Sequence, residues 1–169
     1  MRRSYRTACA LLCGLLCLPA WAAADPFAPR ANVPPGMEES FLGESIRDAA
    51  IPPAPAVGVP AYPGAVVIRS FAVTAPPKDY TGLPVIELIT DADYDKVVDF
   101  YRQALPAWGR AELMSAYYFA EHGNINFFKP EESHVGVHRL QSYFRESERE
   151  MLQHVLPGAK TLIKVFYRR

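Results

Sequence analysis

Residues 84–90 read Pro84-Val-Ile-Glu-Leu-Ile-Thr90, and residues 91–105 read Asp91-Ala-Asp-Tyr-Asp-Lys-Val-Val-Asp-Phe-Tyr-Arg-Gln-Ala-Leu105. Within that stretch the pattern changes from strand to helix. The first part is short, apolar and rich in β-formers, which predicts a strand. In the second part Tyr94, Val97, Val98, Tyr101 and Leu105 recur at helical spacing, with Asp95, Lys96, Asp99 and Arg102 on the other side. Thr90, three residues before Asp93, marks a helix start, and Pro106 ends the helix.

Moving outward, residues 65–74 are rich in β-branched side chains and predict a strand, closed by a turn at Pro76-Pro77. On the other side, 110–120 and 125–129 read as two strands joined by Glu121-His122-Gly123-Asn124. Residues 133–140 alternate, with Val135 and Val137 inward and His134 and His138 outward. A short helix is expected over 143–156, broken by Pro157-Gly158. In a last strand Thr161, Ile163, Val165 and Tyr167 share one face, and Lys160, Lys164 and Arg168 the other. The order β, β, α, β, β, β, α, β predicts an α+β fold: a single antiparallel sheet with two helices packed on one face.

Arg2, Arg3 and Arg6 precede an apolar run over 8–18 and the small-residue site Ala22-Ala23-Ala24-Asp25. Those are the parts of a cleavable signal peptide, so residues 1–24 are expected to be removed and the protein to be periplasmic. The run is too short for a transmembrane anchor, which needs about 20 residues. Half of the chain's 16 prolines fall within 25–60. That stretch is expected as a proline-rich arm, with one short helix where Phe41, Leu42, Ile46 and Ala49 form a stripe. The α+β domain then occupies 61–169.

Cys9, Cys13 and Cys17 all lie in the leader, which excludes disulfides, thiolate nucleophiles and zinc-thiolate sites from the mature chain. Loss of Arg2, Arg3 and Arg6 takes 18 basic residues to 15, against 18 acidic ones. A weak acidic balance gives no general attraction to nucleic acid.

Tyr62-Pro63-Gly64-Ala65, Thr90-Asp91 and Val97-Val98-Asp99-Phe100-Tyr101-Arg102-Gln103-Ala104-Leu105 together resemble a pattern of small exported bacterial proteins of unassigned function. The Phe-Tyr-x-x-x-Leu helix also resembles the first helix of glyoxalase-like (vicinal oxygen chelate) modules. That resemblance implies modules used in pairs and a metal held by His and Glu on strands. This chain offers one such β-α-β-β-β unit and no histidine in the strands before its helix.

No glycine-rich phosphate loop, Gly-x-Ser-x-Gly elbow or His-Glu-x-x-His motif occurs, so no catalytic residue, metal ligand or cofactor is assigned. His134 and His138 are the best metal pair, yet residues four apart on a strand lie roughly 13 Å apart at Cα, so they read as solvated. Asp91, Asp93 and Asp95 suit a helix start for dipole reasons alone. Alternation sends Tyr117 and Phe119 to one face of their strand and Tyr118 to the other. Tyr118, Phe128, His134 and His138 are therefore the candidate binding surface, together with the basic stripe of Lys160, Lys164 and Arg168 on a solvated edge strand. The expected function is a non-catalytic periplasmic binding or accessory domain, with an envelope protein or a small apolar or anionic ligand as partner. The alternative is a metal-dependent enzyme or small-ligand module using His134 and His138.

Overall fold

The computed structural model describes residue 27 and residues 31–71, 82–123 and 132–168. The expected signal peptide, the turn at Pro76-Pro77, the strand over 125–129 and Phe128 lie outside the described residues. In chain order the elements are α1 (Phe41–Arg47), α2 (Ala54–Val57), β1 (Val66–Phe71), β2 (Val85–Thr90), α3 (Tyr94–Ala104), β3 (Gly109–Leu113), β4 (Ala116–Ala120), β5 (His134–Arg139), α4 (Leu140–Tyr143), α5 (Glu146–Val155) and β6 (Thr161–Phe166). The six strands form one antiparallel sheet in the order β1-β2-β6-β5-β4-β3. The α+β class and the single antiparallel sheet are as the pattern of the sequence predicts.

Two features of the sheet differ from expectation. Strand β6 is not an edge: it lies between β2 and β5, paired along its whole length on both sides. Residues 110–120 are not one strand either. They form the β3–β4 hairpin, closed by Met114 and Ser115 at φ 50° and 65°. A type I′ two-residue turn, with left-handed backbone at both positions, matches the strand twist. Met-Ser forms it without the usual Asn-Gly, so the sequence gives no sign of a turn.

Each face of the sheet carries its own core. On one, Tyr94, Val97, Val98 and Tyr101 of α3 pack with Ile86, Leu88, Phe119, Val135, Val137, Ile163 and Val165. Full burial of such side chains contributes roughly 1.5–3 kcal/mol each. On the other, Leu42 and Ile46 of α1, Leu140 of α4 and Leu152 of α5 pack with Ile68, Ile89 and Leu162. The helices are thus divided between the two faces rather than gathered on one.

The proline-rich stretch is built into both cores. Ala49, Val57 and Val59 join the α3 side, and Ala31, Leu42 and Ile46 the other. Helix α1 starts where Ser40 Oγ accepts from the Gly43 amide at 3.0 Å, and it packs on β1. The Ala31 amide donates to the Val67 carbonyl of β1 at 3.0 Å. The prolines interrupt regular structure there, but the apolar residues between them still have a surface to cover.

Candidate functional site

Alternation along β6 sends Ile163 and Val165 to the α3 face, and Leu162, Lys164 and Phe166 to the other. Because β6 is central, Lys164 stands in the middle of a sheet face. The registers set it in a row that crosses all six strands: Arg69, Glu87, Lys164, Gly136, Tyr118 and Ala111. A single lysine there would be a buried charge without compensation, at a cost of several kcal/mol. Glu87, directly opposite on β2, supplies the counter-charge.

The Lys164 ammonium lies 2.8 Å from Glu87 Oε1, with the two side chains only 16% and 4% exposed. Arg69 Nη1 approaches the other carboxylate oxygen at 3.3 Å. Lys164 Nζ also donates to the Tyr143 hydroxyl at the end of α4. Burial works to lower the Lys164 pKa, but the charge and hydrogen bond of Glu87, with the Tyr143 bond, raise it above the ordinary value. The lysine therefore stays an ammonium, and both it and Arg69 reach Glu87.

Aromatic rings close the strip on its β5 side. His138 meets Tyr118 edge-on at 5.6 Å between centroids and Tyr143 at 4.9 Å; Tyr143 in turn meets Phe144 at 4.9 Å. Gly136 makes this closure feasible. A Cβ there would stand 2.9 Å from His138 Nε2, closer than real Cβ atoms come, and a tight 3.0 Å from Tyr118 Cε1. Burial, reinforced by the Lys164 charge, pushes the His138 pKa down to about 4, so its imidazole is neutral at neutral pH. Burial also raises the Tyr118 hydroxyl, against the pull of Lys164.

His134 is buried farther along β5. Its ring stacks on Phe166 with centroids 4.2 Å apart, and its Nδ1 lies 3.0 Å from the Glu132 carbonyl oxygen. Burial lowers its pKa, and the bond to Glu132 opposes that. Neither histidine is the solvated side chain that alternation suggested, because their face carries the second core instead of solvent. Among the described residues no group of three or more His, Cys, Asp or Glu side chains converges to hold a metal.

The strip unites Tyr118, His138 and Lys164 of the expected surface; His134, Lys160 and Arg168 lie elsewhere. Lys160 Nζ lies 2.8 Å from Asp93 at the exposed start of α3, beside an open cavity of about 670 Å³ also lined by Arg139, Arg149 and Glu150. The amide of Arg168, beyond the end of β6, donates to Ser133 Oγ at 3.3 Å. The basic stripe is therefore not one patch.

Glu87, Arg69 and Tyr143 are the members that sequence reading missed. Glu87 had a signal, as the single charge inside an apolar strand. Arg69 and Tyr143 had none, since only the strand order brings them near Lys164. No family model, curated protein or solved structure matches the chain.

Proposed function

We propose that the protein is a non-catalytic binding or accessory module, exported to the bacterial periplasm by cleavage of residues 1–24. Its contact set is Lys164, Tyr143, His138 and Tyr118, and its ligand is a small molecule with an anionic group on an apolar body. One observation carries this reading: the Lys164 ammonium, beside Glu87, also reaches the Tyr143 hydroxyl on a largely dry face walled by aromatic rings. The Lys164 ammonium attracts an anion, and low local dielectric strengthens that attraction. Tyr143, 43% exposed, stands at the accessible end of the strip and offers a ring for the apolar body. A neutral His138 adds a donor or acceptor without a second charge.

The direct test is titration of the isotopically labelled protein with benzoate and, separately, inorganic phosphate, read by amide chemical shifts. Benzoate should move the resonances around Lys164, His138 and Tyr118, and phosphate should move them less. Tyr143→Phe removes only a hydroxyl at a half-exposed position and should weaken benzoate binding while the fold persists. Shifts that are absent from β5 and β6, or unchanged in Tyr143→Phe, sink the ligand assignment. Export is checked separately by the mass of the protein recovered from the periplasm, which should begin at Asp25.

A further inference from the structure

We propose that the outer edge of β3 pairs with the same edge of a second copy, joining two sheets across a two-fold axis at Ala111. This rests on backbone geometry and charge order at the β3 edge of the sheet, and its argument does not use the ligand reading.

The Met114-Ser115 turn fixes which groups face outward. A two-residue hairpin closes on a hydrogen-bonded pair, here Leu113 with Ala116, and the pattern alternates from there. Leu113, Ala111 and Gly109 therefore turn their backbone groups to β4, while Arg110 and Glu112 turn theirs outward. Among the described residues no backbone group bonds to that outer edge. The opposite edge of the sheet differs, since Val67 of β1 already accepts from the Ala31 amide.

The edge sequence Gly109-Arg-Ala-Glu-Leu113 is complementary to itself when run antiparallel. With Ala111 facing Ala111 of the second copy, each Arg110 lies across from the other chain's Glu112. Those two positions also carry the outward amides and carbonyls, so charge pairing and backbone hydrogen bonding select one register. In that register each Leu113, exposed in the monomer, lies across from Gly109 at one end of the pair. Opposite charges directly across an antiparallel pair stabilise it, and like charges destabilise it. An alternative occupant, an unrelated extended segment, would gain the backbone bonds but not the matched charges. A five-residue edge is a small interface, so the dimer should be reversible.

Sedimentation velocity of the full chain over a concentration series tests this. Wild type should show a concentration-dependent monomer–dimer equilibrium. R110E and E112R should each weaken it by roughly tenfold, because either change sets like charges across both pairs. The R110E/E112R double variant restores opposite charges and should recover the dimer. Arg110 also donates to the Arg102 and Pro106 carbonyls at the end of α3, so E112R is the cleaner single change. Glu112→Pro removes an outward amide without touching the β3–β4 ladder and should give a folded monomer. A wild type that stays monomeric throughout overturns the proposal, as does a dimer that survives both single reversals.

Discussion

On the face under α3, the middle strands β5 and β6 present Val135, Val137, Ile163 and Val165; on the opposite face the same strands present His134, His138 and Lys164. Both faces are covered, so burial alone does not distinguish them. The α3 face is held by area, shape and close packing, where a lost methylene is felt locally. The other is held by apolar clusters around a strip whose charges must be present together. A packed apolar face should degrade gradually under substitution. A buried charge row should tolerate the loss of both partners better than the loss of one.

The sharpest way to break this contrast is at Glu87. Glu87→Ala leaves Lys164 and Arg69 on a dry face with no carboxylate between them, and should destabilise the fold by about 3–5 kcal/mol. Glu87→Leu/Lys164→Met should cost far less than the sum of its single changes, measured by denaturant unfolding of all four forms. Additive single and double values would mean that the strip behaves like ordinary core.

Acid should find the same face next. The folded state holds His138 neutral down to about 4, whereas the unfolded chain protonates it near 6.5. Between those values the unfolded state binds more protons, so stability is full above pH 6.5 and falls as the pH drops toward 4. The loss from this one residue amounts to about 3 kcal/mol across that window. His134, lowered by burial, acts in the same direction. His138→Gln should flatten the pH dependence of the unfolding midpoint in part, and an unchanged slope would place the acid sensitivity elsewhere.

The contrast also explains what the sequence could and could not tell. Most strands and the main helix were legible: β1 and β2 follow from their β-forming composition, α3, β5 and β6 from period, and Tyr117, Tyr118 and Phe119 alternate as expected. Strand order was not legible, because period says which side a residue faces and not which strand lies beside it. Lys164 therefore read as a charge on a protected edge, when β6 had entered the middle of the sheet. His134 and His138 read as solvated for a related reason. Alternation cannot say that α1, α4 and α5 cover the second face, and α1 comes from a stretch that proline content marked as an arm. The Met114-Ser115 turn stayed hidden because neither residue type announces a positive φ.

A smaller effect is expected from Ile163→Val on the α3 face. Ile163 neighbours Lys164 in sequence, and its side chain is fully buried. Removing one methylene should cost about 1 kcal/mol, with no dependence on pH between 4 and 6.5 beyond that of wild type. Parallel pH profiles for wild type and Ile163→Val, displaced by a constant amount, would show that the two faces are energetically separable despite sharing every strand. Converging profiles would show that they are not.

The smallest effect should come from Lys160, one helical-looking interval before Lys164 and part of the same basic stripe in the sequence. Its ammonium pairs with Asp93 at 2.8 Å, which raises the lysine pKa and lowers that of the aspartate. Both groups are well exposed, however, so water and salt screen the attraction, and each group regains solvent when the other is removed. Lys160→Met should leave the unfolding midpoint unchanged within error, at low salt and high salt alike. Lys164→Met should lower it measurably, because Glu87 then keeps Arg69 as a partner but loses its closer one. Two lysines four residues apart thus differ in what surrounds them and not in what they are. If the two variants behaved alike, a counter-charge directly opposite in the sheet would matter no more than one at its rim.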